Sequence, residues 1–243
     1  MQKARDDFDK RALEINSYFH FLENVDKDRP ILHFEKFGEP GELRIDDELL
    51  KVLKASGFLL LYNLVESITR LALTEYLNVI NDANVAFENL NESLQKLWIK
   101  NRKFREINPG SISETEYLHK VYNEIVTNSL NTFILEVRDD SGKVKKEFIA
   151  FSGNVDVKLI KTEAIKYGIT LTVDREIYVE GVKCLTEVKT KRNDLTHGRT
   201  SFADSTKNCS VQELQGYKDG VLEYLGCVLS NIEECIRLGK FKR

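Results

Sequence analysis

The sequence predicts a mainly α-helical bundle with a small β insertion, and three observations predict it. Only three prolines interrupt 243 residues, so long helices can run unbroken. Apolar residues recur at helical spacing through most of the chain, most densely over 45–81 and 210–239. The apolar period shortens to two at 133–151, where Phe133, Leu135 and Val137 alternate ahead of the turn Asp139-Asp-Ser-Gly142. The length allows one large domain or two small ones. The chain shows no internal repeat and no low-complexity tract, and is read as one domain over 1–243.

Residues 1–27 carry Phe8, Leu13, Ile15, Phe19, Leu22 and Val25 at loosely helical spacing and read as an amphipathic helix. Residues 28–45 hold Pro30, Gly38, Pro40 and Gly41 and read as a loop, with Phe34 and Phe37 available to pin it down. Core helices fill 46–131. The first, from Ile45 to about Asn81 with Asp46 or Asp47 as its cap, is apolar nearly all round, the pattern of a bundle's central helix. The next, 84–106, ends in the basic run Lys100, Arg102, Lys103 and Arg105. Ser113-Glu-Thr-Glu116 resembles a capping box and opens a helix to about Asn131.

Residues 133–173 are the β-containing insertion. It comprises the hairpin 133–151, a short helix capped by Asn154 and ending at Tyr167-Gly168, and a strand at Ile169–Val173 that could join the hairpin. Two helices fill 175–238: one over about 175–197, and one opened by the capping box Ser210-Val-Gln-Glu213. A polar loop, 198–209, separates them, and Phe241-Lys-Arg243 is a tail.

The formal net charge of −3 excludes a uniformly basic coat, so any contact with nucleic acid must be a local patch. Such a patch exists. From Gly181 to Arg199, five cations (Lys183, Lys189, Lys191, Arg192, Arg199) face two acids, Glu187 and Asp194. Within it the chain reads Arg192-Asn-Asp-Leu-Thr-His-Gly198. Gly198 fits the left-handed position that closes a helix. His197 then falls in the last turn, where the helix dipole favours a cation. A guanidinium matches phosphate oxygens and an imidazole moves protons near neutral pH, but ideal helical spacing sets positions 192 and 197 about 140° apart. Asn193 and His197, four apart, share a stripe.

On the first long helix, Asn63, Glu66 and Arg70 interrupt the apolar surface at spacings of three and four. Two readings stand. In one, slightly the stronger, Glu66 pairs with Arg70 on a half-exposed edge. In the other, Glu66 orients Arg192 across the core, since a buried carboxylate needs a basic partner.

Arg192-Asn-Asp-Leu-Thr-His-Gly resembles the Arg-x(4–6)-His signature of the HEPN superfamily. Phe58-Leu-Leu-Leu-Tyr-Asn-Leu-Val-Glu66, and Ser152-Gly-Asn-Val-Asp156 with Tyr167-Gly168 after it, resemble a bacterial branch of that superfamily. The matches come in the expected order and cover about 45–235. The resemblance implies a HEPN-like helical bundle and a metal-independent endoribonuclease, a toxin or anti-phage defence effector that cleaves RNA and needs no cofactor. Arg192 and His197 are the implied catalytic residues, and sites from two protomers would meet in one homodimer cleft. Asn193 would position or polarise, Glu66 support, and Lys189, Lys191 and Arg199 attract the RNA backbone. An antitoxin or defence-system partner protein is implied as well. In some members a partner enzyme modifies a tyrosine two residues after the motif His; Arg199 stands there, which argues against that regulation.

The alternative the resemblance leaves open is a non-catalytic HEPN module that binds nucleotide, RNA or a partner protein. The residue pattern offers no HExxH, no Gly-rich phosphate loop and no GxSxG. Cys184, Cys209, Cys227 and Cys235 form no CxxC pair and no metal spacing beside a histidine, so they read as reduced core thiols of a cytoplasmic protein. No apolar stretch approaches the roughly 20 residues of a membrane helix, and no membrane partner is expected.

Overall fold

The computed structural model describes residues 1–28, 30–36, 38–106, 113–126 and 153–243. The described elements are α1 (Gln2–Asp28), β1 (Ile31–Lys36), β2 (Glu39–Arg44), α2 (Asp47–Asp82), α3 (Glu92–Glu106), α4 (Glu114–Val126), α5 (Val157–Lys166), α6 (Arg175–Thr196), α7 (Phe202–Ser205) and α8 (Val211–Arg237). The fold is mainly α, with one antiparallel two-stranded ribbon among the described residues.

At 36 residues, α2 is about 54 Å long at 1.5 Å per residue. It is the axis of the bundle. Asp46 caps it by accepting a hydrogen bond from the Leu49 amide at 2.8 Å. Phe58, Leu61, Leu64, Val65, Ile68, Ala72, Tyr76, Leu77 and Ile80 are buried along it, and α1, α6, α7 and α8 pack around it. Because α2 has neighbours on most sides, its apolar residues cannot keep to one stripe. The opposite case is α8, which is strongly one-sided and starts on the predicted capping box: the Ser210 hydroxyl accepts from the Glu213 amide while Glu213 accepts from the Ser210 amide. The Ser113–Glu116 capping box also forms.

Helices α6 and α8 approach closely because glycines face bulk. A methyl on Gly181 would lie 2.6 Å from the Tyr224 ring, and one on Gly220 would lie 2.6 Å from Cys184 Sγ. This fixes how deeply α6 sits against the core and therefore where its C-terminal turn emerges.

Several expectations are corrected. The segment 28–45 is a hairpin rather than a loop, with Leu32 opposite Leu43, Phe34 opposite Gly41 and Glu35 opposite Pro40. A two-stranded ribbon is all edge, the place where a strand tolerates proline, and the Phe34 ring covers Gly41. The helix expected over 84–106 begins only at Glu92, after a single 3₁₀ turn at Phe87–Asn89. Its break admits the C-terminal residues: Leu90 bridges Lys242, and the Asn91 amide donates to Phe241 O at 2.9 Å. Phe241 is buried, so the tail is part of the core. The cap of α5 is Asp156 and not Asn154. Ile169–Val173 is not a strand; the Asn231 carboxamide bonds both the N–H and the carbonyl of Thr172, standing in for a neighbouring strand. The hairpin expected at 133–151 lies outside the described residues.

The four cysteines are free; Cys184 and Cys235 are buried, and burial pushes the Cys184 thiol up to about 12. Among the described residues no helix is long and apolar enough to cross a membrane.

Candidate functional site

Arg192 is the point on which three separate stretches of sequence converge. From α2, the Tyr62 ring lies beneath its guanidinium, 4.5 Å from ring centroid to Cζ. From the turn before α5, the Gly153 carbonyl accepts from Arg192 Nη1 at 3.1 Å. From α6 itself, Asn193 Oδ1 accepts from the same Nη1 at 3.0 Å. Nη1 is saturated. Nη2 and Nε make no hydrogen bond among the described residues.

The Gly153–Asp156 turn clamps this end of α6 at two further points. Asn193 Nδ2 donates to Asn154 Oδ1 at 2.8 Å, and Lys189 Nζ pairs with Asp156 Oδ2 at 2.5 Å. The turn is tied to α2 as well, since the Val155 amide donates to the Tyr62 hydroxyl at 3.1 Å. Gly153 adopts φ +79°, and a side chain there would stand 3.4 Å from both terminal nitrogens of Arg192. Partial burial alone would raise the Asp156 carboxyl, but Lys189 and the amides of the α5 N-terminus outweigh it and hold the group below its usual range. Burial pushes the Tyr62 phenol above its ordinary value, so the ring is neutral and its π face is available to a cation.

Beside this clamp lies a cleft of about 230 Å³, lined by Leu59, Tyr62, Asn63, Glu66, Ser67, Arg70 and Arg192. Glu66 enters the site, but its hydrogen bond goes to Arg70 Nη2, at 2.5 Å. The first of the two readings of Glu66 is the one the side chains adopt. Asn63 Oδ1 accepts from Arg11 Nη1 at 3.0 Å, which joins α1 to the rim.

His197 stands apart from the cleft. It is the C-cap of α6, its side chain exposed and without a hydrogen bond among the described residues. Behind it Gly198 takes φ +64°. The Gly198 amide donates to Leu195 O and the Arg199 amide to Asp194 O, the double closure of a Schellman turn. Lys191 points to the other flank of α6, donating to Ser205 O at 2.7 Å, and Arg199 pairs with Asp194 at 3.3 Å on the surface. The structure thus gathers Arg192, Asn193 and Lys189 at the clamp, with Glu66 in the adjoining cleft, and leaves His197, Lys191 and Arg199 outside both. Among the described residues no three His, Cys, Asp or Glu side chains gather to hold a metal.

Three residues central to this arrangement carried no assigned role in the sequence: Tyr62, Gly153 and Asp156. Each lies inside a stretch whose pattern was visible, but its partner is far away in sequence. Only the folded α2–α6 packing identifies Tyr62 as the platform for Arg192.

A family model described as HEPN_MAE_28990-like HEPN matches residues 1–241. Comparison with curated proteins and with solved structures gave no match.

Proposed function

The chain belongs to the HEPN_MAE_28990-like HEPN family, and from that premise we propose that it is a metal-independent endoribonuclease acting through a site shared by two protomers. The observation that carries this reading is the held guanidinium of Arg192. Stacking and two hydrogen bonds fix one edge, leaving Nη2 and Nε for the oxygens of a phosphate at the cleft. An anchored donor pair costs little reorganisation when charge develops on a phosphorane.

RNA carries its own nucleophile. The 2′-oxygen attacks the adjacent phosphorus, the P–O5′ bond breaks, and a 2′,3′-cyclic phosphate forms. One proton leaves the 2′-hydroxyl and one reaches the departing 5′-oxygen. On this reading His197 performs proton transfer, with the second protomer's copy completing the pair. Support for assembly comes from the outer face of α6. Val179, Val182, Thr186, Thr190, Asn193 and His197 follow spacings of three and four, the seam pattern of a helix pair. The two valines are 58% and 38% exposed. The proposal extends to a toxin or anti-phage defence effector in the cytoplasm, held in check by a partner protein.

The test is cleavage of RNA in EDTA, with products identified by their 2′,3′-cyclic ends, and a substrate carrying 2′-deoxyribose at the cut site expected to be inert. His197→Ala should slow single-turnover cleavage about a hundredfold or more, with Arg192→Lys similarly impaired while RNA affinity is retained. Full activity in His197→Ala would end this reading. One observation favours a second reading, a HEPN module that binds nucleotide, RNA or a partner protein without cleaving: His197 lies outside the cleft of its own chain.

A further inference from the structure

A second cleft opens toward the other end of α6, lined by Lys161, Leu171, Val173, Arg175, Tyr178 and Tyr224. Three features point to a ligand. Tyr224 is 1% exposed and lines the cleft, and its hydroxyl makes no hydrogen bond among the described residues, which leaves it free to bond a group bound there. Two cations, Lys161 and Arg175, stand at the cleft without an acidic partner among the described residues; Asp174 is committed to capping α6 through the Glu176 amide. Tyr178 presents an exposed ring, with Lys161 Nζ 5.4 Å from its centroid.

We propose that this cleft is a subsite for one nucleotide of single-stranded RNA. The base stacks on Tyr178, the Tyr224 hydroxyl meets a polar edge of the nucleotide, and Lys161 and Arg175 contact its phosphates. Size favours a strand over a free small molecule. The cleft is about 210 Å³, below the roughly 300–1,000 Å³ of pockets that engulf a whole ligand, and so suits one unit of a longer chain. Placement favours it too. Tyr178 and Arg192 are fourteen residues apart on α6, about 21 Å along the axis and about 40° around it. Along that flank runs α5, from Asp156 at Lys189 to Lys161 at Tyr178, with exposed Lys158 on the way. The identity of the strand as RNA rests on the function proposed above; the stacking subsite itself does not.

Fluorescence anisotropy with a labelled, uncleavable 2′-O-methyl oligonucleotide tests it on the full chain. Tyr178→Ala should weaken binding about tenfold, the scale of a lost base–aromatic stack, and Tyr178→Phe should restore it, with melting temperature unchanged in both. The Lys161→Ala, Arg175→Ala double variant should flatten the salt dependence by about 0.7 in log–log slope for each phosphate it no longer neutralises. Wild-type affinity in Tyr178→Ala would overturn the subsite whatever the cleavage assay gives. Loss of binding in Tyr178→Ala would uphold it even if His197→Ala cleaves normally. Tight binding of adenosine monophosphate, abolished by Tyr178→Ala with oligonucleotide affinity unchanged, would overturn the strand in favour of a free nucleotide.

Discussion

Removing the Tyr62 hydroxyl and then its ring should separate the two ways in which α2 holds the Arg192 site. Tyr62→Phe keeps the platform under the guanidinium but deletes the oxygen that accepts from the buried Val155 amide. An unsatisfied buried donor costs about 1–3 kcal/mol. Tyr62→Leu loses the platform as well. At 4.5 Å and half-buried, the cation–ring contact falls between the exposed and desolvated cases, about 1 kcal/mol. The assay is a double-mutant cycle by urea denaturation, crossing Tyr62→Leu with Arg192→Met, a partner without charge. The coupling energy should be about 1 kcal/mol, and Tyr62→Phe alone should lower the melting temperature by about 2–4 °C for each kcal/mol lost. A coupling below about 0.3 kcal/mol together with a neutral Tyr62→Phe would refute the claim that α2 positions Arg192.

Three further outcomes follow from the same geometry. Asp156→Asn retains a good helix cap but loses the Lys189 pair, so it should cost about 1 kcal/mol at pH 7. The native carboxyl is held low, so its contribution is present above the unfolded value of about 3.9 and is lost as pH falls through the lower native value; denaturation curves of the two proteins should converge at the acid end. Gly153→Ala must hold φ +79° and should lose about 1–2 kcal/mol, with Gly153→Asn losing less because asparagine tolerates the left-handed region; equal stability of all three would contradict the described turn. Val179→Glu with Val182→Glu should convert the proposed dimer to a monomer by light scattering with little change in melting temperature, both positions being exposed.

Helix placement was legible because it depends on nearest neighbours. Apolar spacing gave α2, α6 and α8, and the Ser210–Glu213 and Ser113–Glu116 caps could be read from four residues each. What failed depended on partners elsewhere. The hairpin at 31–44 was hidden by Pro40 and two glycines, which signal a loop unless the other strand is known. Ile169–Val173 looked like a strand from its β-branched residues, but a side chain from α8 takes up the backbone groups of Thr172. At the site, the resemblance to HEPN proteins grouped Arg192, Asn193 and His197, although helical spacing set 192 and 197 about 140° apart. The fold unites the first two and separates the third, because the Schellman turn ends the helix at His197 and directs it outward. Lys189 and Lys191, read together as attractors of RNA, sit on opposite flanks, one on Asp156 and one on Ser205.

That separation has a consequence for how the proposed activity would be controlled. Each chain holds the arginine proposed to bind phosphate ready, since Tyr62, Gly153 and Asn193 fix Arg192 without a second copy. The titratable group is the one left unplaced, at the end of the Val179–His197 stripe. Pairing two α6 helices would order His197 and bury the valines in the same step. Proton transfer, unlike phosphate binding, would then depend on assembly. The specific cleavage rate per chain should therefore rise with protein concentration through the dimerisation midpoint, while oligonucleotide affinity at the Arg192 cleft changes far less. A partner protein seated on the α6 stripe would silence cleavage without touching Arg192.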